Sequence, residues 1–143
     1  MRIVIINGPN LNLLGKREPE IYGNQSFEDY LKILEREFQH LEIIYYQSNH
    51  EGTIIDLLHQ YGFNKNCGIV LNPGAYTHTS IAISDAIRAI STPVIEVHLT
   101  EPAKREACRA TNYITPHCIH SVQGKGLQGY ADALRFFTEG KRN

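Results

Sequence analysis

The chain has 143 residues, 42% hydrophobic and 20% charged, with a formal net charge of −1. That length suits one domain with a core of its own, and the near-neutral balance lacks the basic footprint that nucleic acid or an anionic membrane selects, while leaving room for a small anionic ligand. Cys67, Cys108 and Cys118 form no C-x-x-C pair and are odd in number, which excludes a full disulfide framework; with no leader read at the N-terminus, a reduced, cytoplasmic setting is expected.

Arg2 to Ile6 is a continuous β-branched run ended by Asn7-Gly8-Pro9, the pattern of a buried parallel strand and too short for a membrane role. The stretch from Asn7 to Gln25 reads as one long Gly- and Pro-containing connection, and such loops in compact domains are often functional. Ser26 opens a helix, with Asp29 three residues on as an approximate capping box. Phe27, Tyr30, Leu31, Leu34 and Phe38 follow at helical spacing as its buried face. Leu41 to Tyr46 is a second strand, and a helix from Gly52 to Tyr61 carries Ile54, Leu57, Leu58 and Tyr61, with Gly62 placed to end it. Gly68 to Leu71 forms a third strand, broken at Asn72-Pro73-Gly74, and about Thr79 to Ile90 is the next helix. Pro93 to Leu99 is a fourth strand, and Pro102 suits the first turn of a short helix reaching roughly Tyr113. Ile119 to Val122 is a short fifth strand, and a last helix runs from about Gly126 to Thr138.

Five strands alternating with five helices predict an α/β fold, a flavodoxin-like, doubly wound parallel sheet in the order 2-1-3-4-5 with helices on both faces. Such sheets bind ligands beyond the carboxyl ends of the strands, at the switch point between strands 1 and 3. The polar segments fall there. Strand 1 ends in N-G-P-N-L-N-L-L-G-K-R-E-P-E-I-Y-G (Asn7 to Gly23), strand 3 in N-P-G-A-Y-T-H-T-S (Asn72 to Ser80) and strand 4 in E-V-H-L-T (Glu96 to Thr100), followed by R-E-A-C-R (Arg105 to Arg109). This topology gathers Asn10, Arg17, Tyr22, Asn72, His78, His98 and Arg109 at one crevice.

These segments, with G-x-G-x-x-G-Y at Gly124 to Tyr130, resemble the signatures of the type II 3-dehydroquinate dehydratases along nearly the whole chain. The resemblance implies a cofactor-free, metal-free lyase of the shikimate pathway that eliminates water in the anti sense from 3-dehydroquinate, through an enol or enolate. Tyr22 would be the base that takes the C2 proton, and Arg17 the guanidinium that favours its phenolate, since an ordinary tyrosine ionises only near pH 10. Their five-residue separation on one loop suits a lid. His98 would protonate the departing hydroxyl, a task suited to imidazole, with Glu96 on the same side of the strand to orient it. Asn10 would help stabilise the developing enolate oxygen. Asn72, His78, Asp85 and Arg109 would bind substrate by side chain, and Leu99 and Thr100 by backbone N–H groups at the start of the helix after strand 4. Seven residues apart, His78 and Asp85 can share a helix face. In the family Asp85 and Arg109 also involve a neighbouring subunit, and the usual assembly is a homododecamer built from trimers. The chain departs from the family pattern at Thr100, Glu101, Cys108 and Ala110.

Other readings remain open on the residues alone. A nucleotide- or flavin-binding module has this fold class, but the loop after strand 1 lacks a phosphate fingerprint, and the late G-K-G-L-Q-G from Gly124 lies in the wrong part of the sheet. A Schiff-base lyase needs a desolvated lysine, and none of the six lysines falls in an expected strand or buried face. A scaffold that had lost its chemistry would not be expected to keep Arg17, Tyr22 and His98. His117-Cys118-x-His120 has no second cluster to complete a zinc site. Arg105 and Arg109, four apart, would share a face of the helix after strand 4.

Overall fold

A computed structural model describes residues 1–16 and 18–140 of the chain. Strands β1 (Arg2–Asn7), β2 (Glu42–Gln47), β3 (Cys67–Asn72), β4 (Val94–His98) and β5 (His120–Gln123) form one all-parallel sheet, ordered β2-β1-β3-β4-β5. The order is the expected one, and each strand lies within a residue or two of its predicted bounds. The switch point falls at the end of β1, where Asn7 stands between Gln47 of β2 and Asn72 of β3.

Alternation along the strands builds two core layers. Ile3 and Ile5 of β1, with Val70, Ile95 and Val97, face helices α2 (Phe27–Glu37) and α5 (Gln128–Glu139). Val4 and Ile6, with Ile69, Leu71 and Val94, face α3 (Glu51–Tyr61) and α4 (Ile81–Ala89). Both sides of the sheet are therefore apolar, which is why its central strands read as unbroken hydrophobic runs. At the start of α2, Ser26 Oγ accepts the Asp29 N–H at 3.2 Å. Phe27 beside it is fully buried, stacked on Tyr45 with ring centres 4.6 Å apart; burial of such a ring contributes roughly 1.5–3 kcal/mol.

Three local expectations are corrected. The stretch from Asn7 to Gln25 is not one irregular loop: it holds a 3-10 turn at Leu11–Leu13 and a short helix, α1 (Pro19–Tyr22), begun by a proline whose missing N–H costs nothing there. Gly62 does end α3, but with φ −70°, so no left-handed residue is involved; glycine is required because a Cβ would meet the Ile90 side chain at 2.3 Å. The helix expected from Pro102 to about Tyr113 is not formed. Two 3-10 turns, Pro102–Lys104 and Ala107–Arg109, stand in its place. From Pro102 to Ala110 only Pro102 is buried, so a helix would have no apolar face to dock, and packing rather than propensity sustains most short helices.

Gly8, just past β1, is a steric requirement of the switch point. Its N–H donates to the Asn72 carbonyl at 2.7 Å, and a Cβ would lie 2.7 Å from the Pro73 carbonyl oxygen. Backbone cannot yield as a flexible side chain can. Gly8→Ala is expected to cost about 1–3 kcal/mol, measurable by denaturant unfolding; an unchanged midpoint would show that the two strand ends separate freely. No helix among the described residues is long and apolar enough to cross a membrane.

Candidate active site

The ends of β1, β3 and β4 open into one crevice lined by Asn10, Asn72, His78, His98, Leu99, Thr100 and Arg109, with Arg105 beside them. Seven of the residues expected at the site thus come together from three separated segments. Arg105 joins them although the shared helix face that would have paired it with Arg109 does not exist. Among the described residues no carboxylate lines the crevice, whereas two guanidinium groups do, an arrangement that favours an anionic ligand.

His98 is 5% exposed and Glu96, behind it, is completely buried. Two residues apart on β4, they point to the same side, and His98 Nε2 lies 2.7 Å from Glu96 Oε1. Thr77 Oγ1 sits 3.5 Å from the same nitrogen. With Nε2–H donated to the carboxylate, Nδ1 is the nitrogen left to exchange a proton. The Glu96 carboxylate also accepts from Asn112 Nδ2 at 3.1 Å, from Ser121 Oγ at 2.9 Å and from the Thr115 hydroxyl. Burial pushes its pKa up, but the hydrogen bond and charge of His98, then the bonds from Thr115 and Asn112, outweigh burial and hold Glu96 below the ordinary carboxylate value. An anion with four donors can stay ionised beside an imidazole and hold the ring's orientation.

Asn10 adopts a left-handed conformation, φ 69°, ψ −2°, tolerable for asparagine more than for most residues. Its N–H donates to Asn49 Oδ1 at 3.0 Å, and Gln47 Nε2 donates to the same oxygen at 3.0 Å and to the Gly8 carbonyl at 3.2 Å. The loop after β1 is thereby tied to the end of β2. Tyr76, after β3, joins the tie by donating its hydroxyl to the Asn49 carbonyl at 2.9 Å.

The segment after β4 is docked rather than helical. His78 Nδ1 donates to the Thr111 carbonyl at 2.6 Å, and Tyr113 N–H donates to the Thr77 carbonyl at 3.0 Å. His78 is thus held as the Nδ1–H form, with Nε2 left for a ligand. Leu99 and Thr100 have a single 3-10 turn behind their N–H groups, not the expected helix. The late glycine segment serves the same strand end: Gly124 N–H donates to the His98 and Thr100 carbonyls at 3.3 and 3.0 Å, and Gly126 N–H to the Leu99 carbonyl at 2.9 Å. Those donors frame the crevice rather than cradle a phosphate.

Asp85 is not brought to the crevice. It lies on the exposed face of α4, 3.7 Å from Arg88, because His78 belongs to a 3-10 turn before that helix and the two share no helical face. Arg17 and the Tyr22 side chain lie outside the described residues, and of Tyr22 only its place at the end of α1 is described. Of the departures from the family pattern, Glu101 is not among the lining residues: it pairs with Lys104 at 2.5 Å and packs over Gly124. Cys108 is exposed, beside an Arg109 whose Nε donates to Glu106 Oε2 at 2.9 Å. Among the described residues no group of three His, Cys, Asp or Glu side chains is placed to hold a metal ion.

Asn112, Thr115 and Ser121 escaped the sequence reading. The one local signal was Asn112 in N-x-I-T-P: its Oδ1 accepts the N–H groups of Ile114 and Thr115 at 2.8 and 2.9 Å, an Asx turn that a helix reaching Tyr113 obscured. Nothing in the spacing linked these residues to Glu96.

Comparison with known proteins agrees with this geometry. The family described as dehydroquinase class II matches residues 1–138. A 3-dehydroquinate dehydratase of Caldicellulosiruptor bescii is 50% identical over 135 residues, 93% of either chain, and one of Maricaulis maris is 52% identical over 130 residues, 90% of this chain and 88% of the other. The crystal structure of a type II dehydroquinase from Butyrivibrio crossotus is similar with a TM-score of 0.91 at 44% identity, covering 96% of this chain and 97% of that one. Matched along nearly its whole length in both sequence and fold, the chain belongs to the class II dehydroquinase family.

Proposed function

We propose that this crevice dehydrates 3-dehydroquinate, the reaction of the family within the shikimate pathway, by anti elimination through an enolate. The observation that carries the reading is the buried Glu96–His98 pair, 2.7 Å apart, at a crevice with no carboxylate in its lining among the described residues. Tyr22, as phenolate favoured by the Arg17 guanidinium, takes a proton from the carbon beside the ketone. The C–H electron pair becomes the enolate, whose oxygen Asn10 helps stabilise. Collapse of the enolate forms the new C=C bond and expels the β-hydroxyl, which leaves as water with the proton from His98. Asn72, His78 and Arg109, with the backbone of Leu99 and Thr100, bind the substrate's carboxylate and hydroxyls.

The reading extends to a homododecamer of four trimers. Asp85, counted among the substrate contacts, is exposed and does not line its own crevice, which supports a role at a neighbour's. Light scattering at a twelve-chain mass supports this, and full activity in a single chain removes it. The three thiols are unpaired, in keeping with a cytoplasmic enzyme.

The test of the function is ultraviolet absorbance from the conjugated enone product when the protein meets 3-dehydroquinate, with borohydride added in parallel. Product formed with no inactivation by borohydride supports the proposal. Inactivation would replace it with imine chemistry, no product would remove the activity, and wild-type turnover in Tyr22→Phe would remove Tyr22 as base.

A further inference from the structure

Under the floor of the crevice runs a string of buried hydrogen bonds whose polarity is set from one end. The backbone N–H of Gly74 can only donate, and it lies 3.2 Å from Asn72 Oδ1, which decides how the Asn72 amide is turned. Nδ2 then faces the Tyr130 hydroxyl at 3.0 Å and donates to it. With its oxygen accepting from Asn72, Tyr130 sends its own proton to Asn7 Oδ1, 2.7 Å away. That leaves Asn7 Nδ2, which with the Tyr45 hydroxyl is a buried side-chain polar atom without a partner among the described residues.

The consequence lies at Asn72. One of its amide hydrogens is committed to Tyr130 and its carbonyl oxygen is turned to Gly74, so what it offers the crevice is the second N–H. Tyr130 is fully buried and is not part of the crevice lining, so any influence on a ligand passes through Asn72. Its place is set by the preceding Gly129, buried close against Val97 and Val122, and by Phe27, whose ring meets the Tyr130 ring edge-on at 4.8 Å. We infer that Tyr130 is a positioning residue, which by accepting from Asn72 and donating to Asn7 holds the Asn72 amide, already turned by Gly74, in place as a hydrogen-bond donor to an acceptor oxygen of the substrate. This rests on the proposed binding role of Asn72, and it gives the tyrosine closing the late glycine segment a task in specificity.

The test is steady-state kinetics with 3-dehydroquinate on Asn72→Ala, Tyr130→Phe and the double variant, each checked for folding and assembly. Tyr130→Phe is expected to raise KM about three- to tenfold, the worth of one neutral hydrogen bond, with kcat little changed. The double variant should have a KM no higher than Asn72→Ala alone, since coupled residues do not add. A protein carrying 3-fluorotyrosine at position 130 keeps the shape and hydroxyl but weakens the oxygen as acceptor; its KM should move the same way by a smaller factor. That protein decides the matter if Tyr130→Phe does not fold. If Asn72→Ala raises KM while the position-130 variants do not, or if the two effects multiply, Tyr130 does not act through Asn72 and the inference falls while the binding role stands. If Asn72→Ala leaves KM unchanged, the binding role itself fails and the inference goes with it.

Discussion

His98→Gln is expected to lower kcat on 3-dehydroquinate about 10²- to 10⁴-fold, the range a positioned general acid contributes, with KM altered only a few-fold. Glutamine keeps a polar side chain of similar length against Glu96 but has no proton of suitable acidity for the departing hydroxyl. The β4 backbone and the Leu99–Thr100 segment are held by the Gly124 and Gly126 N–H groups, not by the imidazole, so the binding surface persists. Loss in kcat with KM nearly constant is the signature of a group acting in the transition state. A variant retaining wild-type kcat would show that the leaving group departs without this histidine, and a rise in KM alone would make His98 a binding residue.

Glu96→Gln is expected to destabilise the fold by about 1–3 kcal/mol, the cost of leaving buried donors without their acceptor, and to slow turnover. Four donors converge on the carboxylate, from His98, Asn112, Thr115 and Ser121. An amide of the same shape supplies one acceptor oxygen and turns an NH₂ group against donors that have nowhere else to go. The two hydroxyls can rotate; the Asn112 amide and the His98 ring cannot adapt without giving up other contacts. The loss should also depend on pH. Because the folded state holds the Glu96 carboxyl below its unperturbed value of 4.5, the carboxylate's stabilisation is complete above that value, diminishes as pH falls through the lowered folded value, and is gone beneath it. Denaturant unfolding of wild type and variant across this range should give curves that converge on acidification. A difference as large in strong acid as at neutrality would mean that the ionised carboxylate is not what stabilises the fold.

The two substitutions separate the jobs of the pair. His98→Gln leaves the buried carboxylate in place and removes the proton donor. Glu96→Gln leaves the imidazole and removes what holds it. A glutamine at position 96 that cost nothing in stability, yet as much rate as the histidine change, would place Glu96 among the reacting groups rather than behind them.

Much of the architecture was already determined by the order of residues. β-branched runs cut off by Asn-Gly-Pro and Asn-Pro-Gly, alternating with helical apolar spacing, specify strand and helix through local sterics and burial, and the same alternation leaves few topologies for a parallel sheet. Ser26 as a helix cap and the shared side of Glu96 and His98 follow from contacts two or three residues apart, a distance at which backbone geometry dictates direction. The gathering of Asn10, Asn72, His78 and His98 follows once the strand order is known, because strand ends share an edge.

What only the tertiary structure decided has the opposite character. The segment after β4 carries helix-compatible residues, yet it has no apolar stripe, and its bonding groups are claimed by Thr77, His78 and Glu96 from other elements. Asp85 could line the crevice or not, and with a 3-10 turn in place of a helix at His78 it stands exposed on α4, beside Arg88. Tyr130 reaches Asn72 across 58 residues and Asn7 across 123. Partners so distant in sequence are chosen by which groups burial leaves together and without water. A buried donor must find an acceptor, and the particular acceptor exists only once the whole sheet has closed around it.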